Sequence, residues 1–228
     1  MNDIYTVSKN VEKILNGNCT NFLDQKLQIQ VKNKLKKGTY KIYLPYIDSE
    51  KAIYYVSNKP NVLLYEIVSN NKLLHQEIIG TLFSLGIDPS MYGDILIIDN
   101  HYYIYILDII ENYLLTNFNK IKNNKIELKQ IDVNYLYNYE REYEEIELIV
   151  SSNRIDTVLS HLIHTSREKI NEKIKNKEIL VNYDEPKTSY NLKENDIFSI
   201  RRYGKYKYIG VINTTKKDNI VVKILKYK

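Results

Sequence analysis

The chain has 228 residues, 43% of them hydrophobic, and 33 lysines and arginines against 28 acids give it a net charge of +5. A chain this long buries about 70% of its unfolded surface and divides into one to three small domains. One cysteine, Cys19, excludes a disulfide framework or a cysteine-rich zinc site; with no leader-like start and no 18-residue apolar run, a cytoplasmic protein is expected.

Residues 2–37 read as helical. Val7, Val11, Ile14 and Leu15 repeat at helical spacing, Gly17-Asn18 interrupts, and Leu23, Leu27, Val31 and Leu35 resume the pattern until Gly38. Lys32, Lys34, Lys36 and Lys37 crowd its end, either as favourable charge at a helix C-terminus or as a polyanion contact. Residues 39–44 and 52–57 read as short strands, ended by Pro45 and Pro60. From residue 61 the rhythm changes: strand 62–68, helix 73–85 closed by Gly86, hairpin strands 94–98 and 102–107 turning at Asp99-Asn100, helix 109–121, strand 126–131. That order is the ferredoxin-like (RRM-like) βαββαβ plan. The expected class is α+β, with an N-terminal helical and strand segment at 1–60, the ferredoxin-like domain at 61–141, and a C-terminal domain at 142–228 made of two helices and a small antiparallel sheet. No Gly-, Pro- or Ser-rich linker precedes residue 151, so a defined angle between the halves is expected.

The last third differs in charge. Residues 1–150 carry a net −3 and residues 151–228 a net +8, and four of the five arginines (Arg154, Arg167, Arg201, Arg202) lie in the latter. Scarce arginine gathered in one segment points to polyanion binding, because the planar guanidinium suits phosphates and stacked bases. Ile155, Val158, Leu159 and Leu162 form one helical stripe; Thr165 and Glu168 form a T-x-x-E start for a second helix with Ile170 and Ile174; residues 179–181 read as a strand and 182–186 as a turn. Arg154 and Arg167 stand at the two helix starts, where a cation opposes the helix dipole, so they are not placed for helix stability.

These residues carry a resemblance to the S-four RNA-binding domain, whose pattern runs R-L-D-x-x-L, then S-R-x-x-A-x-x-x-I-x-x-G-x-V-x-V-N-G. The matches are Arg154-Ile155-Asp156, Leu159, Ser166-Arg167, Ile174, Ile179, Val181 and Asn182, and Lys193-Glu194-Asn195-Asp196-Ile197 resembles the K-x-G-D-x block. Ile170 stands where the pattern has Ala, and Lys177, Tyr183 and Asn195 stand where it has Gly. In the middle region His75-Gln76-Glu77-Ile78-Ile79-Gly80, Leu85-Gly86-Ile87 and Gly93-Asp94-Ile95-Leu96 are similar to the H-R-D-x-x-G, L-G-I and G-D-I-L blocks of the YlmH proteins, although Gln76 replaces an arginine and Asp88-Pro89-Ser90-Met91 a basic stretch.

The resemblance implies a bacterial cytoplasmic RNA-binding protein without catalysis or cofactor. Its implied partners are large-subunit rRNA and peptidyl-tRNA on the ribosome, in ribosome-associated quality control, with a weaker link to cell division. A monomer with no membrane or small-molecule partner is expected. The RNA-facing residues it implies are Arg154, Thr165, Ser166, Arg167, Lys169, Lys173, Asn182 and Arg201. Asn182 serves equally as a turn former, and Lys173 and Lys177 equally as a solvated face. The segment 201–208, Arg-Arg-Tyr-Gly-Lys-Tyr-Lys-Tyr, alternates cations with aromatic rings around a turn at Gly204, suited to base stacking or to cross-strand packing.

The competing class is an RNA-modifying enzyme, because R-L-D also marks a catalytic aspartate in pseudouridine synthases. Here the tripeptide lies inside the S-four pattern, which makes Asp156 an acid placed to orient Arg154 or Arg167. A methyltransferase would want a glycine-rich cofactor loop, and the seven glycines include no G-x-G. His161 and His164 lack a third ligand, so no metal is expected. Glu144, Glu145 and Glu147 read as a solvated strand face.

Overall fold

The computed structural model describes residues 2–227 and divides the chain into two compact units, 1–140 and 141–228. In the first, α1 (Asn2–Leu15) and α2 (Gln25–Lys32) pack on a two-stranded antiparallel ribbon, β1 (Lys41–Tyr43) with β2 (Ile53–Tyr55). Asp24 caps α2, its carboxylate accepting from the Leu27 amide at 2.8 Å, so this helix is shorter than the apolar spacing predicts. Leu23 lies before the cap in a β-bridge to Ala52, and Leu35 lies past the helix. Leu23, Leu27, Val31 and Leu35 still share one core with Val7, Ile14 and Tyr54, which is why they mimic a continuous stripe.

A five-stranded sheet follows, built from β3 (Val62–Ser69), α3 (His75–Ser84), β4 (Tyr92–Ile98), β5 (His101–Leu107), α4 (Glu111–Asn117), β6 (Lys120–Ile121) and β7 (Asn124–Ile131). The order β4-β5-β3-β7-β6, with all neighbours antiparallel, is the ferredoxin-like arrangement extended by one short strand. Asp99 and Asn100 both take positive φ at the β4–β5 hairpin, as a tight two-residue turn requires. The expected helix 109–121 is broken: a 3₁₀ turn spans Asp108–Ile110, α4 covers seven residues, and Ile121 opens a hairpin. Leu114, Phe118 and Ile121 are all buried, so their helical spacing is real although the helix is not continuous.

The two faces of this sheet are both covered. One packs on α3 and α4 through Tyr65, Ile67, Ile104, Ile106, Ile78 and Leu82. The other presents Leu64, Leu96, Tyr103 and Tyr105 to Phe22, Tyr46, Ile53 and Leu136 from the flanking segments. Gly93 permits this contact, because a Cβ there would stand 3.0 Å from the Tyr105 side chain and 3.1 Å from the Phe22 ring. Asp94 anchors the covering loop, its Oδ2 accepting from Tyr46 Oη at 2.7 Å and from the Glu50 amide at 2.7 Å.

The second unit comprises β8 (Tyr143–Val150), α5 (Ile155–Leu162), α6 (Arg167–Lys175), β9 (Ile179–Val181), β10 (Ile197–Ile200), β11 (Gly204–Thr214) and β12 (Ile220–Tyr227). Its antiparallel sheet runs β8-β12-β11-β10-β9, and α5 and α6 pack on one face through Ile155, Val158, Leu159, Ile170 and Ile174 against Phe198, Tyr206, Tyr208, Val222 and Ile224. The N-cap of α6 is Ser166, one residue later than the T-x-x-E reading, with its hydroxyl accepting from the Lys169 amide. Arg201, Arg202 and Tyr203 form the β10–β11 turn rather than strand, so pleat alternation does not set their directions. The acids of β8 meet the lysines of β12: Glu145 pairs with Lys223 at 2.8 Å and Glu144 with Lys226 at 3.5 Å.

Candidate nucleic-acid interface

The corner between α5 and α6 is held by one carboxylate. Asp156, in the first turn of α5, is 2% exposed and accepts from Arg154 Nε at 3.1 Å and Nη2 at 3.0 Å, and from Arg167 Nη2 at 2.7 Å and Nε at 3.2 Å. The Thr157 amide adds a further donor at 2.9 Å. Burial would raise this carboxyl, but hydrogen bonds from Arg154 and Arg167, together with their charges, bring it down to about 2. The two guanidinium groups therefore stand side by side at the two helix starts, with Arg154 as N-cap of α5 and Arg167 as first residue of α6. Their side chains stay 42% and 47% exposed, and each has N–H donors beyond the two spent on Asp156. Two cations share one buried acid, so the trio keeps a net positive charge facing solvent.

Thr165 and Ser166 directly precede Arg167 in the chain, and with Lys169, His161, His164 and Glu147 they line an open trough of about 760 Å3 whose lining includes neither arginine. Two amides in the first turn of α6 have side-chain acceptors, that of Lys169 in the Ser166 hydroxyl and that of Glu168 in its own carboxylate.

The remaining expected residues separate from this corner. Lys173 pairs with Glu178 at 2.8 Å and sits 5.9 Å above the Tyr203 ring, in a second cluster near Arg201 and Arg202, whose charges also lower the Glu178 carboxyl. Asn182 is committed to its turn: Nδ2 donates to Asp196 Oδ1 at 2.7 Å and Oδ1 accepts from the Ile197 amide at 3.0 Å. Asp196, 6% exposed, also accepts from Tyr190 Oη and the Lys193 amide, which explains the aspartate in the K-x-G-D-like block as a junction between two turns. Glu178 and Arg202 join the second cluster without any signal in their spacing.

In the first unit, the sheet face that RRM domains offer to bases is closed. Tyr103 is 6% exposed and Tyr105 0%, both beneath the covering residues. Among the described residues, no group of three or more His, Cys, Asp or Glu could hold a metal, and no helix is long and apolar enough to cross a membrane.

Residues 60–135 match a family model described as "Putative RNA-binding domain in YlmH". The chain is 26% identical over 147 residues to the ribosome-associated protein quality control protein P2 of Bacillus subtilis (strain 168), an alignment covering 63% of this chain and 56% of that protein. The chain thus spans little more than half the length of this relative. A solved structure, the cell division protein ylmH from Streptococcus pneumoniae, aligns with a TM-score of 0.49 and 20% identity over 60% of this chain and 93% of that one. On these matches the chain is similar to the YlmH proteins, and the similarity to their putative RNA-binding domain lies in residues 60–135.

Proposed function

We propose that this is a non-enzymatic RNA-binding protein that docks on structured ribosomal RNA through the α5–α6 corner. The observation that carries the reading is the Asp156 clamp, which holds Arg154 and Arg167 adjacent with their outer edges in solvent. Adjacent, pre-aligned guanidinium groups suit neighbouring phosphates better than flexible lysines do. Ser166 and Lys169 extend the contact, and Lys173 and Arg201 at the other end of α6 support it. Asn182 is left out because its amide is spent inside the fold. The name of the Bacillus relative, a ribosome-associated protein quality control protein, supports a ribosomal setting. The partners in this proposal are large-subunit rRNA and peptidyl-tRNA, met in the cytoplasm.

The sequestered state of Asp156 argues against the enzyme reading. A catalytic carboxylate must reach its substrate, and this one is buried with both oxygens hydrogen-bonded. Footprinting the protein on ribosomes tests the proposal. Arg167→Ala is expected to weaken protection by about 1–3 kcal/mol, as for hydrogen bonds to charged groups. An unchanged footprint would remove the corner from the interface.

A further inference from the structure

The covering of the first unit's sheet stops short of one end, and what remains open there is aromatic. His101, the first residue of β5, shares the face of Tyr103 and Tyr105, and its ring stacks on Tyr103 at 6.3 Å with 17° between planes. Tyr135 packs on the same Tyr103 ring at 6.1 Å. A hydrogen bond of 2.7 Å between His101 Nδ1 and Glu66 Oε1 fixes the histidine ring. These rings border a slot of about 580 Å3, also lined by Asp99, Asn134 and Asn138. The volume falls in the range of roughly 300–1,000 Å3 that holds small flat ligands. Tyr135 leaves 65% of its surface, and the His101 side chain 59%, in water.

We infer that this slot takes one unstacked nucleobase from a single-stranded stretch of RNA. The inference rests on the RNA-binding reading of residues 60–135 and gives that domain a site. The chemistry selects a base over a phosphate: the charged groups beside the rings are the carboxylates of Glu66 and Asp99, which repel an anion. A neutral heteroaromatic ring stacks on Tyr135 or His101 and offers N–H donors to Asp99 and to the amide oxygens of Asn134 and Asn138. The closed centre of the sheet moves the stacking position to this rim.

Anisotropy titration of the full chain with a fluorescein-labelled twelve-nucleotide oligoadenylate tests it. Tyr135→Ala is expected to weaken binding about fivefold or more, the loss typical of one stacked base, while Tyr135→Phe binds like the unaltered chain. Equal binding by Tyr135→Ala, within about twofold, overturns the slot; if Arg167→Ala still impairs binding to a structured rRNA fragment, the RNA-binding reading survives that result. Failure of the unaltered chain to bind either RNA overturns both.

Discussion

Asp156 decides how the candidate interface behaves. Its folded-state carboxyl lies at about 2, below the ordinary value of 3.8, so its contribution to stability is fully present above that value and is lost as pH falls through about 2. The lowering corresponds to roughly 2 kcal/mol, and roughly 1–2 kcal/mol once the exposure of both guanidinium groups is allowed for. Asp156→Asn is therefore expected to speed hydrogen exchange of the α5 and α6 amides at pH 7 and to remove the difference between pH 4 and pH 2. The same substitution separates alignment from bulk charge in RNA binding. It raises the net charge by one, which by counterion release alone would tighten binding. If Asp156 acts by holding Arg154 and Arg167 in place, binding to a structured rRNA fragment weakens about threefold to tenfold instead. Tighter binding by Asp156→Asn would reject the clamp.

At the scale of elements, backbone conformation explains the departures from the S-four pattern. Lys177, Tyr183 and Asn195, the three residues standing in place of glycine, have φ of 58°, 69° and 67°. The turns keep their glycine geometry although the glycines are gone. Lys177 closes α6 in a Schellman motif, its amide bonding to Ile174 O and the Glu178 amide to Lys173 O, and His164 closes α5 likewise. Lys177→Gly should relieve the left-handed strain and raise the melting temperature by about 2–5 °C, read by calorimetry. Gly93 makes the opposite case. Gly93→Ala would push Phe22 from the sheet and should cost about 1–3 kcal/mol in denaturant unfolding, the range for overpacked cores. No loss on Gly93→Ala would mean that the covering segment shifts freely.

For the whole molecule, cations are less free than their number suggests. Lys223 and Lys226 face the acids of β8, Lys173 is tied to Glu178, and Lys51 is drawn into the first unit, bonding to Pro89 O and Tyr92 O. Burial lowers the Lys51 ammonium to about 8 against the pull of Asp94, Asp24 and Asp88. Interface strength should accordingly follow the few arginines and Lys169. About five phosphate contacts predict a log–log slope of binding against salt near −4, and Arg167→Ala should flatten it by about 1. A slope steeper than about −8 would implicate the wider lysine population.

Apolar spacing by itself determined where most elements lie, the βαββαβ order, and the positions of Arg154 and Arg167 at two helix starts, because periodicity and helix-end chemistry are local. The charge difference between the two parts of the chain was equally legible. What only the tertiary structure decided involves partners far apart in sequence. Asp156 binds both arginines at once, Phe22 and Leu136 close a sheet made from residues between them, and Asn182 is claimed by Asp196. Whether a polar or aromatic side chain is available to a ligand depends on which distant groups have already satisfied or covered it, and no local pattern records that.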